Sequence, residues 1–489
     1  MTELDTRPAP GTAAHGLVRA DRVHGSVYTD PEIFAREMDR IFRRGWVYVG
    51  HDSEIPRPGD YLTRRIGGEP VIFARGKDGA VRVLLNRCAH RGNRLCNAVS
   101  GNATSFRCPY HGWTFGNDGS LIGVPMRAGY DREFLDGRAG QGLSPTARAD
   151  SYRGFWFASL APGGSTLTEH LGRATTAIDR LQALSPCGTL DLRAGWMKHL
   201  HRANWKMVME NNVDGYHALF THESVYSAIR EAKVSHVPSK VEVDVRDLGQ
   251  GHSEIDYTPE YTRLDEEFVW FGRTPRQKLP NYVAAMERAH GAEETHRAFV
   301  VGPPHTLIFP NLFLAEMNIM TVEPLAPGET IAYTTPAMIP GMPEMNRRML
   351  RRTEGAMGPA GFLIADDGEI GARNQLGLAA RNPEWIVLAR GLATDIADET
   401  GLVNHDKSAE TPQRGFWRHW AAVLDPAVLD PAVLDPAVPD SAVPDSAVPD
   451  SAVPDSAVPD SAVPDSAVPD SAVPDSAVPD SAAGSGAGR

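Results

Sequence analysis

The chain of 489 residues is 42% hydrophobic and 23% charged, a globular composition with length for two to four domains at roughly 100–200 residues each. Its net charge of −13 sits almost wholly at one end: from Leu424 onward there are 12 Asp, one Arg and no Lys or Glu, leaving −2 for residues 1–423. A nearly neutral body excludes the basic footprint of a nucleic-acid protein. No apolar run reaches the ~18–20 residues of a membrane span, and four cysteines are too few for a disulfide scaffold. The N-terminal stretch MTELDTRPAPGTAAHG carries no apolar secretory segment, so the expected location is cytoplasmic.

In chain order, Asp30-Pro31 reads as the N-cap and first position of a helix whose apolar face is Ile33, Phe34, Met38, Ile41 and Phe42. From Trp46 short β segments follow (WVYVG, YLTRRI, VIFA, VRVLLN), with Asp78-Gly79 and Asp118-Gly119 as hairpin turns. A long helix is expected over Asn204–His222, then strands in HTLIFPNLFLAE, a helical stretch from Met345, and a last helix at RGFWRHW, Arg414–Trp420. From Leu424 the sequence repeats LDPAV three times and then PDSAV. A proline in every repeat blocks both helix and sheet ladder, so residues 424–489 read as an extended, solvated tail. The expected domains are an N-terminal arm over 1–44, a β-rich metal domain over 45–161, a catalytic domain over 162–423 and the tail. No glycine-rich nucleotide loop occurs, so no NAD or flavin site is expected in this chain.

The first metal constellation pairs CAHRG (Cys88, His90) with CPYHGWTF (Cys108, His111), 17 residues separating His90 from Cys108. Structural zinc could use two cysteines and two histidines, but zinc fingers group like ligands and place the histidines on a helix. Here each loop offers one thiolate and one imidazole and continues into glycine. That is the Rieske pattern, two cysteines on one iron of a 2Fe-2S cluster and two histidines on the other. Gly92 and Gly112 suit tight turns that aim backbone N–H groups at sulfur. Cys96 and Cys187 fall outside the pattern and read as buried small apolar residues.

These motifs resemble the Rieske non-heme iron aromatic-ring-hydroxylating dioxygenases, in particular their large α subunits. Besides the two loops, the resemblance rests on NWK…EN..DGYH….H, on FPN at Phe309–Asn311 and on RGFWRHW, and covers about residues 17–423. It implies an α+β fold: an antiparallel β Rieske domain inserted in a catalytic domain whose antiparallel sheet is flanked by helices. Two residues separate Asn211 from Asp214, as in benzoate-type members; naphthalene-type members have one more, which leaves Asn211 or Asn212 as the asparagine near the iron.

A second metal site is expected at His217 and His222. Five residues apart, they would point about 140° apart on a regular helix, so a break near His217 is required. Two histidines and one carboxylate leave open positions on iron for O₂ and substrate. Asp366, Asp367 and Glu369 in GFLIADDGEIGARN offer that carboxylate, and the resemblance points to Asp367. It further implies one Rieske cluster, one mononuclear Fe(II), electrons relayed from NAD(P)H by a ferredoxin or reductase, and an α₃ or α₃β₃ assembly. Asp214 would then bridge to the cluster-ligating His111 of the adjacent α subunit. The expected reaction is cis-dihydroxylation of an aromatic ring in an apolar pocket lined by Met207–Leu219 and HTLIFPNLFL. The benzoate-like spacing hints at a monocyclic aromatic acid, which would want an Arg or Lys nearby. A Rieske monooxygenase is the nearest alternative; an electron carrier or a structural zinc protein leaves the second histidine pair unexplained.

Overall fold

The computed structural model describes residues 13–136, 141–225, 227, 243–264, 268–269, 274–359 and 361–425. The repeat tail therefore lies outside the described residues, apart from Leu424 and Asp425.

The first helix, α1 (Pro31–Glu37), starts as its sequence demands: the Asp30 carboxylate accepts the N–H groups of Glu32 and Ile33. Its continuation over Met38–Arg43 buries Ile41 and Phe42. The β-rich region that follows forms three antiparallel sheets. Strands β2 (Asp60–Ile66), β3 (Glu69–Arg75), β4 (Val81–Leu85) and β5 (Ser100–Asn102) stand in the order β4-β3-β2-β5. Strands β6 (Ser105–Arg107), β7 (Thr114–Gly116) and β8 (Leu121–Gly123) make a second sheet. Strand β1 (Val47–His51) pairs with β10 (Phe155–Ser159), which pairs with β9 (Arg148–Tyr152). The two Asp-Gly pairs turn β3 into β4 and β7 into β8, each with its glycine at positive φ, +82° at Gly79 and +92° at Gly119.

The catalytic region is built on one nine-stranded antiparallel sheet. Its strands are β11 (Met197–His201), β12 (Asp244–Gly249), β13 (His252–Asp256), β14 (His305–Ile308), β15 (Leu312–Ala315), β16 (Asn318–Ala326), β17 (Glu329–Pro336), β18 (Ile396–Asp398) and β19 (Gly401–Asn404). They stand in the order β11-β17-β16-β15-β14-β13-β12-β19-β18. Against it pack α2 (Trp205–Asn211), α4 (Phe362–Gly377) and α5 (Thr411–Leu424), while the short α3 (Ala218–Thr221) packs on α4. The architecture is α+β: antiparallel sheets throughout, with helices beside the largest. Asn311, from the FPN turn between β14 and β15, exchanges two hydrogen bonds with the backbone of Tyr48 on β1, at 3.0 and 3.1 Å. Strand β1 is thereby pinned to the catalytic sheet.

One long helix over Asn204–His222 does not form. The helix ends at Asn211, and the next begins at Ala218. Between them the chain squeezes past Lys407, where a Cβ on Gly215 would lie 2.2 Å from the Lys407 carbonyl oxygen. The last helix reaches Leu424, whose side chain is buried, and Asp425 closes it against the N-terminal arm. Its carboxylate accepts from Arg36 at 2.7 Å and from the Ala14 N–H.

Candidate metal centres

The two Rieske-type loops are one turn built twice. Gly92 N–H donates to Cys88 C=O and Gly112 N–H to Cys108 C=O, at 2.9 and 3.0 Å, with glycine φ of +73° and +74°. The Cys88 and Cys108 thiols are buried beside each other among Phe106, Trp113 and Phe115. The imidazoles lie further out, His111 exposed and His90 half-buried, with ring centroids 4.7 Å apart. Trp113 stacks on His90, 6° from parallel. Burial pushes the Cys88 thiol up, while N–H groups of His90 and Arg91 aimed at its sulfur oppose that shift. His90 Nδ1 is buried without a hydrogen-bond partner. Two inner thiols and two outer imidazoles, some left unpartnered, fit a 2Fe-2S cluster with its histidine edge toward solvent. Cys96 is buried, and its thiol is pushed up to about 12 by that burial. Cys187 departs from expectation. It is exposed, its thiol contacting the hydroxyls of Ser185 and Thr189.

The helix break creates the second centre. Asp214 Oδ1 accepts the N–H groups of Tyr216 and His217 at 2.7 and 3.3 Å, starting α3. His217 and His222 flank that one-turn helix, their ring centroids 5.3 Å apart. From α4, Asp367 reaches both: its Oδ1 lies 3.4 Å from His217 Nε2 and 3.4 Å from His222 Nε2. Ligand atoms held about 2.1 Å from one metal at right angles lie about 3 Å apart, so these spacings admit an ion between them. Asp367 Oδ1 is buried and has no hydrogen-bond partner. Among the described residues these three are brought together as a metal-holding group, their ligand atoms all within 4.8 Å.

The neighbouring carboxylates take the other imidazole nitrogens. Asp366 Oδ2 lies 3.5 Å from His222 Nδ1 and Asp214 Oδ2 3.6 Å from His217 Nδ1. An acceptor at Nδ1 favours the tautomer whose Nε2 lone pair is free for a metal. Burial works against a charged His217, yet Asp214 and Asp367 outweigh it and raise that imidazole to about 10. The site is thus built to attract a cation. Glu369 turns outward and pairs with Arg373. Among the described residues, the hydrogen bonds and ion pairs of Asp214 are to its own turn, Tyr216 and His217.

A cavity abuts Asp367. Met207, Val208, Asn211 and Asn212 of the α2 region, Met320 of β16 and Ile364 of α4 line it, with His201 and Ala203 at the end of β11. The HTLIFPNLFL hairpin does not contribute, contrary to expectation; that hairpin packs in the core and β16 supplies the sheet's side of the cavity. No Arg or Lys is among the described lining residues. His201 on that lining is not among the expected site residues; its alternation with His199 in KHLHR is the signal that marks it in the sequence. His201 is buried, and that burial, with His199 beside it, lowers it to about 4.

Residues 45–133 match the Rieske [2Fe-2S] domain family, and residues 190–425 match the ring hydroxylating alpha subunit (catalytic domain) family. The large oxygenase component of a naphthalene 1,2-dioxygenase system from Pseudomonas aeruginosa is 31% identical over 433 residues, covering 84% of this chain and 92% of that one. The 2-halobenzoate 1,2-dioxygenase large subunit of Burkholderia cepacia is also 31% identical, over 76% of this chain and 80% of its own. A crystal structure of a naphthalene 1,2-dioxygenase variant bound to phenanthrene superposes with a TM-score of 0.70 at 27% identity, covering 83% of this chain and 94% of that one. The chain belongs to the ring-hydroxylating dioxygenase α subunits, oxidoreductases that act as terminal oxygenases. Membership brings two cofactors, a Rieske 2Fe-2S cluster and a mononuclear non-heme iron. Among the described residues, no helix is long and apolar enough to cross a membrane.

Proposed function

We propose that this chain cis-dihydroxylates a neutral aromatic ring, with Cys88, His90, Cys108 and His111 holding the cluster and His217, His222 and Asp367 holding the iron. The observation that carries this is the convergence of both Nε2 atoms on an unpartnered Asp367 Oδ1 beside a cavity. When bound, the cluster supplies single electrons and the iron supplies open positions for activating O₂. Met207, Val208, Met320 and Ile364 shield the ring from water and hold it by contact. Asp366 and Asp214 keep the two imidazoles oriented. The apolar side chains of Met207, Val208, Met320 and Ile364 on the cavity lining favour a neutral ring over an aromatic acid.

Electrons enter from a separate ferredoxin or reductase drawing on NAD(P)H, and the working unit is an α₃ or α₃β₃ assembly. In it Asp214, acceptor-only and half-exposed, bridges His217 to His111 of a second copy of this chain. Turnover under ¹⁸O₂ with a competent reductase tests the reaction. Two labelled atoms in one diol are expected; a single labelled atom would make the protein a monooxygenase.

A further inference from the structure

The cavity beside Asp367 carries a buried polar group with no part in the scheme above. His199 and His201 stand two apart on β11 and so share one face of the strand. Both rings lie against α4, with centroids 4.1 Å apart. The bare backbone of Gly368 lets the helix come this close: a Cβ there would sit 2.9 Å from His199 Cε1 and 3.8 Å from His201 Nδ1. His201 lines the cavity together with Met207, Met320 and Ile364, and the residue is only 5% exposed. Its Nε2 is buried and has no hydrogen-bond partner. A buried ring nitrogen of this kind calls for a partner from the cavity, which a ligand atom would supply.

We propose that His201 is a specificity-determining residue, and that the cavity is a subsite for an aromatic substrate bearing a phenolic hydroxyl. This rests on the ring-oxygenating role proposed above. A hydroxyl both donates and accepts, so it satisfies a neutral imidazole whichever nitrogen carries the proton, whereas a carbonyl satisfies one tautomer alone. The described lining has no Arg or Lys to form a charge-assisted pair with a carboxylate beside His201. Methyl matches hydroxyl in size but leaves Nε2 unpaired.

The test is equilibrium dialysis of the metal-loaded, anaerobic protein against two shape-matched pairs, toluene with phenol and 1-methylnaphthalene with 1-naphthol. The ratio of methyl to hydroxyl Kd, which cancels overall hydrophobicity between variants, should fall about tenfold or more in His201→Leu. His201→Gln, which keeps a polar atom at that reach, should retain part of the ratio. His201→Phe preserves ring volume and replaces the leucine variant if that one fails to fold, as judged by cluster absorbance. An unchanged ratio in a folded Leu or Phe variant, with both rings still oxygenated by wild type, overturns the assignment of His201 alone. Failure of wild type to bind or oxygenate any of the four overturns it together with the proposed reaction.

Discussion

Each histidine of the proposed mononuclear site lies between two carboxylates, one outer neighbour at Nδ1 and the shared Asp367 at Nε2. That arrangement separates the roles of neighbouring acids. Asp367→Ala or His217→Ala should abolish mononuclear iron while leaving the cluster's visible absorbance; Cys108→Ser should do the reverse, as metal analysis and spectra would show. Asp366→Asn keeps all three proposed ligands and exchanges a charged orienting acceptor for a weaker neutral one, so iron affinity should fall about 10–100-fold rather than vanish. Iron retention by Asp367→Ala with loss in Asp366→Ala would exchange the two roles. Asp214→Asn offers His217 a weaker acceptor, and electron transfer from reduced cluster to iron should slow by orders of magnitude with both centres loaded. Stopped-flow reoxidation with substrate and O₂ reads that directly, and wild-type rates would leave Asp214 as scaffold. The spacing of the histidines and cysteines marks them as candidate ligands in the sequence because that spacing is chemical. Asp366 against Asp367 was not legible, since adjacent helix positions differ by about 100° and only the packed orientation of α4 decides which faces in.

Helix α2 shows what the NWK motif does. Asn204 caps the helix through the Lys206 N–H at 3.1 Å, and its amide reaches the carbonyls of Tyr28 and Pro327. Glu37 of α1 accepts from Trp205 Nε1, from Lys206 Nζ at 2.6 Å and from Trp420 Nε1 of α5. This fully buried pair clamps three helices together. Lys206→Met strands a buried carboxylate and should cost about 3–5 kcal/mol of stability, part of it restored by adding Glu37→Gln. Thermal melts of the two variants would show it. One turn on, Glu210 bonds to Tyr28 and Trp417, but burial wins and raises its carboxyl from 4.5 to about 7. Between those values the folded protein binds the proton more tightly than the unfolded chain, so stability from this group falls as pH rises through the interval. Glu210→Gln should flatten that decline by up to about 1.4 kcal/mol per pH unit, measurable as urea midpoints at pH 5 and 7. The helix itself was only half legible. Apolar spacing continues past Asn211, and the break expected from the histidine geometry is imposed from outside, where Gly215 meets the Lys407 carbonyl.

Across the whole molecule, short alternating strands and Asp-Gly turns announced antiparallel sheets. The order of the nine-stranded sheet was hidden, because β11 and β17 pair across more than a hundred residues and local pattern carries no such information. The C-terminal boundary is a sharper case. Composition changes at Leu424, yet the fold extends one turn of logic further: Leu424 is the last, buried residue of α5, and Asp425 ties that helix to Arg36 and Ala14 of the N-terminal arm. Two truncations separate repeat from fold. Deleting residues 426–489 removes proline repeats that offer no aromatic side chain and no basic residue except Arg489, so iron content, cluster absorbance and turnover should equal those of the full chain. Deleting residues 424–489 exposes the end of α5 and should cost about 1.5–3 kcal/mol for the lost leucine, with about 0–1 more for the half-exposed ion pair. Melting curves of the two proteins, set beside oxygen uptake, distinguish these outcomes. A folded 426–489 deletion that keeps both metals but loses turnover would show that the repeats take part in catalysis or in engaging the electron donor.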